Sequence, residues 1–187
     1  ARGGERARES GEGEPGGWET GVIGQRTQPL DHETNDPGYM RGNVPGGRGD
    51  GGQYTRAALW VVMAYALIGD GDEAVALLDL INPFGHSRTR SQAYRYRVEP
   101  YVVPADVYAV SPHTGRGGWT WYTGAASWFH NVATRTILGI RTVAGPDGTR
   151  LLVVDPRIPK AWPAFGAEIR QGRTLWRIRV ENPRGVN

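Results

Sequence analysis

The stretch AALWVVMAYALIG over 57–69 constrains this chain most, because Leu59, Trp60, Met63, Ala66 and Leu67 recur at helical spacing until Gly69 ends the run. Asp72 is placed to cap a second helix, DEAVALLDLI, which Asn82-Pro83 stops. Helices joined by so short a link fold back on one another as an antiparallel pair. The fold is therefore expected to be mainly α.

At 187 residues the chain is long enough for one domain with a real core. Its formal net charge of +3 comes almost wholly from arginine, Lys160 being the only lysine. Arginine forks suit carboxylates and phosphate. The acidic residues are spread among the basic ones and no nucleic-acid motif occurs, so nucleic acid is not an expected partner. Without cysteine there is no disulfide, thiolate nucleophile or Cys-ligated zinc. His86 has no second ligand at metal spacing, so no metal is expected there. No apolar run approaches the roughly 18 residues of a membrane span, and no signal-peptide core precedes the domain. The segment is expected to be soluble and cytoplasmic, with no membrane contact of its own. A membrane-bound multidomain parent is compatible with it.

Residues 1–35 form the expected lead-in. ARGGERARESGEGEPGG at its start has no apolar period and cannot offset its ordering entropy, so disorder is expected. The loop DPGYMRGNVPGGRGDGG over 36–52 holds seven glycines and two prolines, which excludes regular helix or strand. PFGHSRTRSQAYRYRV over 83–98 ends in an Arg-Tyr alternation that reads as a strand or rim segment. EPYVVPADVYAVSPHTGRGGWTWYTGAASWFH over 99–130 reads as the wall of a site.

In that wall, polar, cationic and aromatic groups are interleaved. Trp119, Trp121 and Tyr122 are amphipathic plates that stack on sugar rings, while Trp119 and Trp121 also suit the core face of a short strand. At Thr123-Gly124 a helical pattern begins, running to about Leu138. The first N–H groups of a helix lack intrahelical partners and face an anion favourably. Thr123 adds a hydroxyl, and Gly124 lets a phosphate approach the backbone. The same pair also suits a plain helix cap. His113 and Arg116 flank Gly115 as a flexible edge over bound phosphate or as a polar turn. Arg150 to Asp155 reads as a strand, and Gly166 to Gln171 with Arg173 to Glu181 as a hairpin about Gly172.

GRGGWTWYTGAASW, with EPYVVPADVY before it and DPRIPKAWPAF after it, closely resembles the carboxyl-terminal part of the inverting glycoside phosphorylases typified by cellobiose phosphorylase. The nearest variant is the phosphorylase-like domain of cyclic β-1,2-glucan synthases. The likeness runs from about Pro37 to Pro183. It implies that 36–140 holds the C-terminal helices of an (α/α)6 barrel with its phosphate and sugar loops, and that 141–187 is a small antiparallel β appendage. A whole barrel needs well over 200 residues, so the chain is read as a fragment or a truncated relative.

The resemblance also implies a reaction. In an inverting phosphorylase an aspartate protonates the leaving oxygen while inorganic phosphate, a co-substrate and not a cofactor, attacks from the opposite face. Thr123 and Gly124 match the family's phosphate pair. Arg56 stands where the family has a histidine that also contacts phosphate. It replaces that contact, blocks it, or is a solvated helix-start residue. Asn43 replaces a tyrosine, and Arg48-Gly49-Asp50 replaces Arg-Glu-Asn, so the sugar-binding carboxylate is missing at Gly49 and Asp50 is its partial substitute. Glu99, Tyr101, His113, Arg116, Trp121, Tyr122 and Asp50 are the candidate substrate contacts. Glu99 is given a supporting role, because the family's general acid lies upstream of this segment. The expected partners are oligosaccharide and phosphate, together with a missing N-terminal barrel half or a second copy. The other reading is a non-catalytic, saccharide-binding remnant.

Overall fold

The computed structural model describes residues 22–24, 29, 30, 36, 38–121 and 123–186. Most of the expected disordered lead-in over 1–35, and Tyr122, lie outside that set.

The helical pair forms as its apolar spacing dictates. Helix α1 spans Thr55–Leu67 and α2 spans Gly71–Ile81. Asp70, two residues before the expected cap, accepts a hydrogen bond from the Glu73 N–H at 3.1 Å. Asp72 is thereby free to accept from the Lys160 N–H at 2.9 Å, which ties the start of α2 to the 156–160 segment. Gly71 is where this strap presses closest: a Cβ there would lie 2.6 Å from the Arg157 and Ile158 carbonyl oxygens, so only glycine fits. Leu59, Val62, Ala66, Ala74, Leu77 and Ile81 pack with Val132, Ile137 and Ile158 in the main core.

Residues 83–98 depart from the strand expectation. Thr89 accepts from the Gln92 N–H while the Gln92 side chain accepts from the Thr89 N–H, and this reciprocal cap starts helix α3, Arg90–Tyr96. Period-two alternation over four residues is too short a signal to outweigh a capping box. Tyr96 is buried and packs with Val98, Val102 and Val107 in a second, smaller core beneath the wall.

Helix α4 spans Thr123–Asn131 and continues into a π-helical segment, Val132–Ile137. The edge-on contact of Trp60 with Trp128, 5.9 Å between ring centres, joins α4 to α1. The C-terminal third is β. Strands β3 (Ile140–Ala144) and β4 (Arg150–Val154) pair antiparallel, as do β5 (Ala164–Gln171) and β6 (Thr174–Glu181) around Gly172, whose φ is +59°. β3 was not foreseen, since the apolar and polar residues of IRTVA do not announce a strand apart from its partner. The described chain is thus mainly helical with a C-terminal β part.

A short ladder connects the helices to the wall. Strand β1, Gln53–Tyr54, pairs antiparallel with β2, Asp106–Val107, and Val107 bridges to Gly117 on its other side. The Thr55 N–H donates to the Ala105 carbonyl at 2.9 Å, which fixes the start of α1 against the wall.

Candidate functional site

The wall folds back on itself beside β2. The Gly118 N–H donates to the Asp106 carbonyl at 2.8 Å and the Tyr108 N–H to the Arg116 carbonyl at 2.9 Å, making a hairpin whose tip carries His113. A second loop closes against it, the Ala109 N–H donating to the Gly46 carbonyl at 3.0 Å. Between them lies an open cleft of about 430 Å³ lined by Val44, Tyr108, His113, Arg116, Trp119 and Thr120 with Gly117 and Gly118. That volume falls within the range of small-molecule sites.

Trp119, which lines the cleft, carries a cation on its ring. The Arg48 guanidinium carbon lies 4.1 Å from the Trp119 ring centre. Arg48 has a φ of +49°, so this side chain is presented from a left-handed turn that a non-glycine residue seldom adopts. His113 meets the Tyr108 ring edge-on, 5.7 Å between centres.

Beneath these groups sits Asp106, only 2% exposed. Its Oδ1 accepts from the Trp119 N–H at 3.0 Å. Burial holds its pKa above the ordinary carboxylate value; the Trp119 N–H, the Arg48 charge and the Arg48 N–H oppose that rise without cancelling it. A Cβ on Gly118 would fall 2.2 Å from Asp106 Oδ1, so the glycine is what lets the strand approach the carboxylate. Asp106, Tyr108 and Arg48 were not among the sequence candidates. The available signal was an aspartate inside the apolar run VVPADV, with Gly117-Gly118 following, since a buried carboxylate needs nearby donors.

His113 and Arg116 both line the cleft. Glu99 and Trp121 are brought together, the indole N–H donating to Glu99 Oε1 at 3.3 Å, and Trp121 has a φ of +61°. Tyr101 is exposed. Asp50 is buried, and its Oδ1 accepts from the Leu30 N–H at 2.6 Å, so this carboxylate is committed to the backbone of the lead-in. Thr123 and Gly124 are exposed at the first turn of α4. The Arg56 guanidinium lies 5.5 Å from the Tyr54 ring centre and 5.8 Å from that of Trp60, the tryptophan that touches α4. Among the described residues no group of three or more metal-ligating side chains occurs, and no helix is long and apolar enough to cross a membrane.

The cleft is thus open and edged by aromatic and cationic side chains, on a helical body with a β tail. Residues 18–139 match the family model of the glycosyl hydrolase 94 superfamily, catalytic domain, and the chain belongs to that superfamily. It is 44% identical over 159 residues to the cyclic β-(1,2)-glucan synthase NdvB of Rhizobium meliloti (strain 1021), covering 85% of this chain and 5% of that protein. It is 30% identical over 156 residues to an N,N'-diacetylchitobiose phosphorylase of Vibrio furnissii, covering 82% of this chain and 18% of that one. It is 27% identical over 140 residues to a 3-O-β-D-glucopyranosyl-β-D-glucuronide phosphorylase of Paenibacillus borealis, covering 74% and 17% respectively. The chain spans less than a fifth of the length of these curated relatives.

Proposed function

We propose that this segment supplies the phosphate seat and part of the sugar wall of an inverting glycoside phosphorylase acting on β-glucosides, of the β-1,2-glucan or cellobiose type. Its helices belong to the C-terminal part of an (α/α)6 barrel, and the aspartate that protonates the leaving oxygen lies outside this sequence. Thr123 and Gly124 hold inorganic phosphate at the start of α4, with Arg56 contributing charge in place of a histidine. The cleft of Trp119, His113 and Arg116 receives the sugar.

The observation that carries this reading is Gly124. Relative to alanine, glycine in a helix is less favourable by up to about 1 kcal/mol. At Gly71, Gly118 and Gly139 neighbouring atoms would collide with a Cβ; at Gly124 nothing lies within 4 Å of it, and its φ is not in the left-handed range. The protein's own packing does not require glycine there. A ligand approaching the first N–H groups would.

Calorimetric titration with inorganic phosphate tests the reading. The unaltered chain is expected to bind weakly and Gly124→Val not at all, while Thr123→Ser retains binding. Arg56→His should bind in a pH-dependent way near neutrality, as an imidazole titrates. Equal binding by the unaltered chain and Gly124→Val would overturn it. The burial of Asp50 against Leu30 favours a second reading, a saccharide-binding remnant without catalysis, since the loop's carboxylate is turned away from any sugar. The DNA just upstream separates the two: an in-frame barrel half bearing the acidic aspartate favours the enzyme, and a stop codon the remnant.

A further inference from the structure

We infer that Asp106 is a positioning residue for the cleft: its single buried carboxylate clasps the Arg48 loop to the Trp119 strand and so lays the guanidinium across the indole. The inference rests on the carbohydrate reading of the cleft given above, and extends it to a group that touches no ligand.

Three observations converge on this carboxylate. Its Oδ1 accepts a hydrogen bond from the Trp119 N–H at 3.0 Å, while its Oδ2 faces Gly47, the neighbour of Arg48. Arg48 sits in a glycine-rich turn with a φ of +49°, and Trp119 follows Gly117-Gly118. Gly118 has no room for a Cβ because Asp106 Oδ1 occupies it, and Gly47 would place one 3.7 Å from Oδ2. The two glycines thus flank opposite oxygens of the same carboxylate. Charge adds to this, since the Arg48 cation favours the ionised carboxylate and lies over the indole ring.

An aspartate buried only to satisfy a turn would be replaceable by any residue that keeps the fold. A clasp would not. Asparagine keeps the size of the side chain but loses the charge, and one of its two polar ends becomes a donor that cannot accept from an N–H.

The test compares Asp106→Asn with Val107→Ala in the full chain by NMR. Val107 is equally buried on the same strand and has no polar role. In the unaltered chain the Arg48 Nε–H and δ-methylene signals are expected upfield of the other arginines through the Trp119 ring current. Asp106→Asn should collapse that shift and weaken binding of a β-1,2-linked glucotriose about tenfold, as loss of a charged hydrogen-bond partner does. Val107→Ala should lower the melting temperature and leave the Arg48 signals in place. Arg48 signals unchanged in a folded Asp106→Asn would overturn the inference. If that variant does not fold, amide exchange in the unaltered chain decides: protected Trp119 and Arg48 N–H groups support the clasp, and exchange at free-loop rates overturns it. Failure of the unaltered chain to bind any β-glucooligosaccharide would sink the carbohydrate reading, while the Arg48 signals still judge Asp106.

Discussion

The Trp121 indole N–H donates to Glu99 at 3.3 Å, linking the two ends of the wall across a left-handed tryptophan. Both side chains are exposed, so the bond adds little to stability. Glu99→Ala is expected to lower unfolding free energy by less than about 1 kcal/mol while releasing the indole. Urea unfolding checks the first part. Loss of the distinct Trp121 indole signal in an NMR spectrum checks the second, and an unmoved signal would show that Glu99 does not hold it.

Two glycines a few residues apart should respond in opposite ways. Gly118→Ala drives a methyl group to 2.2 Å from Asp106 Oδ1 and is expected to destabilise by about 1–3 kcal/mol, as overpacking does. Gly124→Ala meets nothing within 4 Å and should leave the melting temperature unchanged or raise it through helix propensity. A pair of thermal melts is sufficient. A large loss in Gly124→Ala would show that the fold, and not a ligand, requires that glycine.

Two carboxylates should bend the pH dependence of stability in opposite directions. Hydrogen bonds from Arg157, together with the Arg157 and Arg141 charges, hold Asp155 below the ordinary carboxylate range. Its contribution is therefore present above an unfolded pKa of about 3.9 and is lost as pH falls through the folded value. Asp106 is raised by burial, so its contribution is complete below about 3.9 and is lost as pH rises through its folded value. Urea midpoints measured from acid to neutral pH should show Asp155→Asn without part of the acid-side loss, and Asp106→Asn without part of the decline on the way up. Parallel curves for all forms would contradict both assignments.

The helices that bury large apolar side chains at regular spacing were legible in the sequence, as were the β5–β6 hairpin and the family. Helix α3 was not, because its information lies in Thr89 and Gln92, a side-chain cap that a scan for apolar period passes over. The aromatic and cationic rim at His113, Arg116 and Trp119 could be read from residue type alone. Asp106 could not, since its partners Gly118 and Trp119 lie a dozen residues away and meet it only in the folded chain.

Thr89→Ala removes the capping box and is expected to reduce stability by about 1 kcal/mol. Because α3 ends in buried Tyr96, the loss should extend to the small core beneath the wall. Amide exchange over 90–107 reads this directly: faster exchange confined to α3 itself would show that the helix and the wall are uncoupled.

Titrating the full chain with inorganic phosphate under NMR observation tests directly whether α4 begins at an anion seat. The amide signals of Thr123 and Gly124 should move progressively and saturably, with the Arg56 side-chain signals following, while amides in β5 and β6 stay fixed. If Thr123 and Gly124 remain still in a folded sample, the start of α4 is only a helix cap and the phosphate reading is contradicted.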